Sequence, residues 1–430
     1  MTQQSLHYLF ATWEGGGNIS PVLGLAAKLI GRGHRVSVLA EPCLKARVDA
    51  IGAAFLPFTE VLTRADASEV LLNDWKQKSP PAALRHTMDV LMFGPSKAIA
   101  AQVDKVIDAV DVDVLVVDWL LPSALIPGEA RGLPTVALVH CINMLPGPGK
   151  PTAGMRPGRT PLGKFRDSVI NGLMNRIANG FLPIVNETRA DYGLAPLKRS
   201  FEQFEKATYV FVQSSDAFDF KMNPAPDNLH YVGPSLDDPA ELTLPAEVGA
   251  FMQTDRPLVL ASMSTTFQNQ ASTLREIISG LERTKAADGG PIKAIVTTGP
   301  AMKNETFSAT ENVLIVDAAP HSAILPHCSA FVTHCGHGSV MRALSFGVPL
   351  IALPMGRDQD DIAARIVDRG LGLRAKPSAK SVARKVHALL KNRTFKAAAN
   401  NIAEEIRQDV ASGRDVKLLE TLASQRRSAA

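Results

Sequence analysis

Phe331-Val332-Thr333-His334-Cys335-Gly336-His337-Gly338-Ser339 opens the stretch that decides the fold. It runs on through a helical segment to Gly347, then Val348-Pro349-Leu350-Ile351-Ala352-Leu353-Pro354 and Met355-Gly356-Arg357-Asp358-Gln359. The two short apolar runs read as strands, and the residues between them as a tight turn and a helix. Strand, turn, helix, strand, loop and helix start make one unit of a parallel, doubly wound sheet. Gly336 and Gly338 allow the backbone to turn sharply and to approach a ligand closely. A helix N-terminus carries unpaired N–H groups and partial positive charge, so Ser339 and the amides beside it form an anion site. His334 adds a donor, and a diphosphate fits the set. Asp358 and Gln359 lie after the next strand, at the same sheet edge. A carboxylate accepts from sugar hydroxyls, while an amide both donates and accepts.

This stretch resembles the donor-binding signature of family 1 glycosyltransferases, inverting enzymes that move a sugar from a nucleotide diphosphate to a small molecule. The shared features are the Thr-His-x-Gly turn at 333–336, Ser339 three residues on, Gly-Val-Pro at 347–349 and the closing Asp358-Gln359. The resemblance implies an α/β chain of the GT-B fold, two doubly wound Rossmann-like domains facing across a cleft. It implies that His334 and Ser339, with the turn Gly336-His337-Gly338, hold the diphosphate, and that Asp358 and Gln359 hold the donor sugar. Asp317-Ala318-Ala319-Pro320-His321 matches the start of the signature; there the backbone around Ala319 would read the base edge, with His321 in place of the family's Gln. His337-Gly338 stand where the plant form has Trp-Asn, Arg342 where it has a ribose-binding Glu, and Ala318 where it has a base-stacking Trp. The base and ribose contacts therefore stay open, with UDP and dTDP both admitted. The family's chemistry needs no metal or other cofactor.

The whole chain bounds the reading. Its 430 residues suffice for two domains of ordinary size, and 46% hydrophobic with 20% charged residues is a soluble globular composition. A formal charge of +4 is too small over this length to argue for nucleic acid. Cys43, Cys141, Cys328 and Cys335 form no CxxC pair, so a reduced, cytoplasmic setting is expected. The first residues lack the basic and apolar regions of a signal peptide, and the run 112–127 is broken by Asp113, Asp118 and Pro122, so no spanning helix is expected.

In chain order, strands are expected at 6–12, 35–40, 54–58, 112–118 and 135–140, with helices at 21–33, 44–51, 95–110 and 122–131 between them. A polar excursion at 59–85, containing Trp75, and a Gly/Pro-rich stretch at 141–160 interrupt this order before a helical segment at 165–186. Such insertions at the carboxyl edge of a sheet shape binding sites. A strand near 230–232 precedes a polar linker at 237–246. The second set follows, with strands at 257–261, 292–297, 313–316 and 329–333, helices at 271–283 and 322–326, and a charged helical tail from 378. The expected division is 1–236 for the acceptor, 247–412 for the nucleotide sugar, and a last helix at 413–430 that, by resemblance, packs back on the first domain.

Catalysis poses the harder question. An inverting transfer needs a base for the acceptor proton. The family carries it in Gly-His-x-x-Pro or Gly-Asp-x-x-Pro after the first strand, and this chain reads Gly17-Asn18-Ile19-Ser20-Pro21. An amide takes no proton at useful pH. Three readings stay open: Asn18 orients the acceptor while Asp118, or else Glu14, is the base; the acceptor is acidic enough to need little help; or the chain binds without catalysing. Asp118 ends a strand where the family's acidic partner of the His sits; a plain helix cap is the competing role. Trp13, Met88, Met92 and His140 are the acceptor-side candidates, a small, largely apolar acceptor such as a polyketide, macrolide, phenol or terpenoid being expected. Core packing is the alternative for both methionines, together with Leu91 and Phe93, and a satisfied core position for His140. His34 is expected at the surface. Ser264, Thr265 and Thr266 offer hydroxyls for the second phosphate, or cap a helix.

Other functions compete. Gly15-Gly16-Gly17 with Glu41 reads as a nicotinamide-binding turn, but the third fingerprint Gly falls on Ser20. A peripheral glycolipid glycosyltransferase would use Lys150, Arg156, Arg159, Lys164 and Arg166 as a basic face, but a solvated loop is the favoured reading of that cluster. A non-catalytic nucleotide-sugar-binding protein has only Asn18 in its favour. The six His and Cys residues at 321–337 fit no standard zinc spacing. Asp111-Val112-Asp113 opens a buried strand and reads as a chance match to another glycosyltransferase fold's metal motif.

Overall fold

Short Val/Ile/Leu/Phe runs flanked by helices leave no polar face, the pattern of strands buried on both sides. The computed structural model describes residues 5–73, 76–151, 153–236, 243–263, 270–299, 302–308 and 310–429. Within them, β1 (His7–Ala11), β2 (Arg35–Ala40), β3 (Ala54–Pro57), β4 (Val114–Asp118), β5 (Thr135–Val139), β6 (Tyr209–Val212) and β7 (Leu229–Tyr231) form one sheet. A second sheet holds β8 (Leu258–Ser262), β9 (Lys293–Thr297), β10 (Val313–Val316), β11 (Cys328–Thr333), β12 (Leu350–Ala352) and β13 (Gly372–Arg374). Every pairing between these strands is parallel.

The strand orders are β3-β2-β1-β4-β5-β6-β7 and β10-β9-β8-β11-β12-β13. Each reverses once, between β1 and β4 in the first sheet and between β8 and β11 in the second. Ligands of doubly wound sheets bind outside the carboxyl ends of the strands at such reversals. The loop after β1 carries Asn18, Asp118 ends β4, and the loop after β11 carries His334, so both candidate constellations fall at the switch points.

The expected strands and helices are found within a few residues of their places. β6 and β13 were not foreseen. At four and three residues they are too short for periodicity to register, and β13 carries a charged Arg374. The last helix, Arg414–Ala429, lies on the first sheet: Val416, Leu419, Leu422 and Ala423 share a core with Tyr8, Phe10, Val114 and Val116. Each buried Val or Leu stabilises by about 1.5–3 kcal/mol. Ion pairs fasten its rim: Lys28 to Asp415 at 3.0 Å, Arg32 to Glu420 at 2.6 Å and Arg427 to Asp113 at 2.6 Å. Asp113 thus has a structural task.

Two sequence expectations are corrected here. His34 is buried, not at the surface: its ring packs edge-on against Tyr8, and its Nε2 lies 3.0 Å from Glu420 Oε1. Lys150 is also buried and joins no basic face. Its ammonium donates to the backbone carbonyls of Asn143 and Leu145, and burial lowers its pKa to about 7.

The halves are joined by buried polar contacts. Arg365 donates from Nε to Asp219 at 2.7 Å, and its guanidinium lies over the Phe220 ring. Asp219 also accepts from the Asn143 amide at 2.7 Å and from the Tyr231 hydroxyl at 3.0 Å. Arg342, at the position of the family's ribose-binding Glu, donates to the Leu236 carbonyl at 3.0 Å. Ile142 and Phe218 enter the apolar core of the second sheet.

Candidate active site

β11 ends at Thr333, and the helix His337–Ser345 begins after three residues. The left-handed residue of this turn is Cys335, with φ of 73°, rather than a glycine; Gly336 has φ of −63°. This corrects the sequence reading, in which the glycines supplied the turn. A non-glycine residue in this region is strained and persists only where its surroundings hold it. Cys335 is buried, and its amide donates to Thr333 Oγ1 at 3.2 Å. Gly336 is needed for space: a Cβ there would meet His334 Nε2 at 2.5 Å. At Gly338 a Cβ would meet nothing within 4 Å, so the turn is open on that side.

His334 is 8% exposed, and its Nδ1 is buried without a hydrogen-bond partner. Burial lowers its pKa to about 4, against a hydrogen bond with the Ser262 backbone that works the other way. At neutral pH it is an uncharged hydrogen-bond donor, not a cation. His337, the first residue of the helix, is buried and lowered to about 3; its Nε2 lies 3.1 Å from Ser214 Oγ in the other half of the chain. Ser339, in the first turn, is partly exposed.

Asp358 precedes the helix Gln359–Asp368, after a turn in which Arg357 is left-handed with φ of 56°. Burial raises the Asp358 carboxyl, with His140 the largest opposing influence. Gln359 accepts the Met355 amide at 2.8 Å through Oε1. Ala319 is buried; His321 Nε2 lies 3.1 Å from Thr297 Oγ1, and its ring packs edge-on against Phe331. Ser264, Thr265 and Thr266 lie outside the described residues, as do Trp75 and most of the expected linker.

In the first half, the carboxyl ends of three adjacent strands converge. Asn18, after β1, donates from Nδ2 to Asp118 Oδ2 at 2.8 Å and to the Trp13 carbonyl at 2.9 Å, while its Oδ1 accepts the Gly15 amide at 3.0 Å. Asp118, at the end of β4, also accepts the Leu120 amide at 3.0 Å and Thr12 Oγ1 at 3.4 Å. His140, just after β5, has Nδ1 3.7 Å from Asp118 Oδ2. Trp13 is buried against Gly15, where a Cβ would meet its ring at 2.7 Å. Met88 and Met92 lie in the core of the first sheet with Leu91 and Phe93, as the packing alternative has it.

Glu14 accepts the Gly16 amide through Oε1 and lies 3.7 Å from Arg47. Burial raises its carboxyl, while the Gly16 hydrogen bond, Arg47 and Arg64 act in the other direction. Glu41 accepts the Glu14 amide at 2.6 Å and pairs with Arg64 at 2.6 Å. Sequence reasoning missed Arg64, which also donates to the Glu14 carbonyl and so pins the loop. Nothing local links it to Glu41. Among the described residues, no group of three or more His, Cys, Asp or Glu side chains converges as metal ligands.

Residues 288–421 match the family described as the C-terminal domain of erythromycin biosynthesis protein CIII-like proteins. The chain is 25% identical over 413 residues to 4'-demethylrebeccamycin synthase of Lentzea aerocolonigenes, covering 92% of this chain and 94% of that protein. It is 24% identical over 396 residues to zeaxanthin glucosyltransferase of Pantoea ananas, covering 88% and 87%. Among solved structures it is similar to the glycotransferase of kitacinnamycin, with TM-score 0.72, 18% identity and 97% and 99% of the two chains covered. It is also similar to the glycosyltransferase VinC in complex with dTDP, with TM-score 0.68, 18% identity and coverage of 98% and 100%. Two parallel sheets, each with one reversal of strand order, and the likeness to solved glycosyltransferases define the GT-B fold. Within it, the chain is a glycosyltransferase, similar over most of its length to 4'-demethylrebeccamycin synthase and to zeaxanthin glucosyltransferase.

Proposed function

We propose that this enzyme transfers a sugar, with inversion, from a UDP- or dTDP-sugar to a small, largely apolar acceptor such as a polyketide, macrolide, phenol or terpenoid. The observation that carries the donor half is His334: a neutral, buried imidazole with an unpartnered Nδ1, beside the open N-terminus of a nine-residue helix. Buried polar atoms are rarely left unpaired, and a diphosphate oxygen satisfies both this atom and the helix amides. In this reading Gly336, His337, Gly338 and Ser339 shape the diphosphate turn, with Ser264 and Thr265 on the second phosphate. Ala319 and His321 border the base, and Asp358 and Gln359 take the sugar hydroxyls. Developing charge on the leaving diphosphate is met by the helix amides and by His334. The likeness to 4'-demethylrebeccamycin synthase and to zeaxanthin glucosyltransferase, and to a neighbour solved with dTDP, supports the same donor and acceptor classes.

Residues 1–236 take the acceptor, 247–412 the donor, and 413–430 complete the first domain. Trp13 and His140 border the acceptor, with Met88 and Met92 backing that wall from the core. Asp118 is the carboxylate on which deprotonation depends. The test is a thermal-unfolding panel of UDP, dTDP, GDP, NAD and NADP, each with and without EDTA. A ligand at a hundred times its dissociation constant stabilises by about 2.7 kcal/mol. Stabilisation by UDP or dTDP, unchanged by EDTA, is the expected outcome; a shift with NAD or NADP alone would overturn the donor assignment.

One observation favours a second reading, an enzyme that meets a lipid acceptor at a membrane surface. On the helix Pro161–Asn179, Leu162, Phe165, Val169 and Leu173 are 50–77% exposed and share one face. Lys164 and Arg176 are exposed on the same helix, and its only carboxylate, Asp167, is buried and bonded to Arg166 and the Gly158 amide. Two copies meeting on this face would oppose like charges, so the occupant that fits is an anionic bilayer.

A further inference from the structure

We infer that the proton-accepting group of the transfer is His140, held by Asp118, and that the dyad is approached from β5 rather than from β1. This rests on the transferase reading above and names the base it lacks.

The argument is by what each neighbour is already doing. Asn18 has both Nδ2 hydrogens and its Oδ1 engaged, and an amide takes no proton. The Asp118 side chain is 0% exposed; its two oxygens accept from Leu120 N and from Asn18 Nδ2, so an acceptor molecule does not reach it. Glu14 is tied to the Gly16 amide and faces Arg47. His140 differs from all three. Its Nδ1 is buried, has no hydrogen-bond partner and sits 3.7 Å from Asp118 Oδ2, while its side chain keeps 15% exposure through its other atoms. With the proton on Nδ1 facing Asp118, Nε2 carries the lone pair. Catalytic hydrogen bonds are often long in the unliganded state and tighten around substrate.

Topology places this group well. β4 lies between β1 and β5, so Asp118 is flanked by Asn18 on one side and His140 on the other. An imidazole on either side makes the same pair with the same carboxylate. His140 also faces the donor side electrostatically: it is the largest influence opposing the burial-driven rise of the Asp358 carboxyl. In the step, the acceptor O–H gives its proton to His140 Nε2, and its oxygen lone pair forms the bond to the anomeric carbon. The bond from that carbon to the diphosphate oxygen breaks, and its electron pair leaves on the nucleoside diphosphate. Asp118 balances the imidazolium until the proton passes to water.

The experiment compares wild type, His140→Gln, Asp118→Asn and the double variant, with UDP-glucose and dTDP-glucose as donors. Acceptors are an aliphatic alcohol and substituted phenols of increasing acidity. UDP and dTDP affinities and thermal unfolding of each protein are read alongside. We expect His140→Gln to lose about 10²–10⁴-fold in kcat, in the range of general-base catalysis, with nucleotide affinity within twofold. The loss should shrink as the phenol becomes more acidic, and the double variant should be no slower than the slower single, because the two residues act as a unit. His140→Gln within threefold of wild type on the alcohol would overturn the assignment while leaving the transferase reading intact. So would multiplying losses in the double variant. Wild type that transfers to no acceptor from either donor would overturn both. Restored turnover in the Asn18→His, His140→Gln protein would further support the dyad, since it returns an imidazole to Asp118 from the other side.

Discussion

At the scale of single residues, the donor turn depends on the absence of one carbon. Gly336 has an ordinary φ, so alanine suits its backbone; what alanine does not suit is the His334 ring, whose Nε2 lies where the Cβ would go. Gly336→Ala should therefore move His334 off the diphosphate position while leaving the helix start in place. Losing one hydrogen bond to a charged group costs about 1.5–3 kcal/mol, so nucleotide affinity should fall roughly 10–150-fold with little change in unfolding temperature. Titration calorimetry with UDP and dTDP checks this, and an unchanged affinity would remove His334 from the diphosphate site. The sequence placed His334 in the turn after β11, because the Thr-His-x-Gly spacing is local. It did not reveal that Cys335 takes the left-handed conformation, since that depends on how deeply the turn is buried. Nor did it bring out the Asn18–Asp118–His140 convergence as one unit, since these residues are more than twenty positions apart and meet only once the strand order is known.

At the scale of elements, the long, strongly apolar strands and their helices were readable from pattern alone. The failures were short or tertiary in origin: β6 and β13, and the burial of His34 and Lys150, which another part of the chain imposes. The basic cluster at 150–166, read as a solvated loop or else a membrane-facing surface, loses Lys150 to the interior, where it holds two backbone carbonyls. The apolar stripe of the helix Pro161–Asn179 was not anticipated, because an i, i+3, i+7, i+11 set reads equally well as core. If that stripe meets a bilayer, the protein should co-sediment with phosphatidylglycerol-containing vesicles but not with pure phosphatidylcholine. Phe165→Asp should reduce that binding at least tenfold without altering thermal unfolding. No sedimentation with either vesicle would leave the small-molecule acceptor as the sole reading.

At the scale of the whole molecule, the two halves are locked through Asp219 and Arg365, whose side chains are 0% and 1% exposed. Burial alone would raise the Asp219 carboxyl, but Arg365, Lys150 and its hydrogen bonds outweigh this and hold it below its ordinary value. Its contribution is thus complete above about pH 4 and is lost as pH falls through the lowered folded value. Removing one partner of such a pair costs about 3–5 kcal/mol, because the other charge is left buried. Asp219→Asn should therefore lower stability by that order in denaturant titration at pH 7, and the penalty should narrow in acid. A loss under 1 kcal/mol would mean that the halves are joined mainly by the apolar contacts of Ile142 and Phe218.

The helix Arg414–Ala429 carries the order of synthesis into the architecture. Tyr8 and Phe10 of β1 leave the ribosome about 400 residues before Leu419 and Leu422, which cover them. At about 5–20 residues per second, that interval is on the order of 20–80 seconds. The first domain thus waits through that interval with an oily face uncovered and closes only after every strand of the second sheet has been made, so the half begun first is completed after the other.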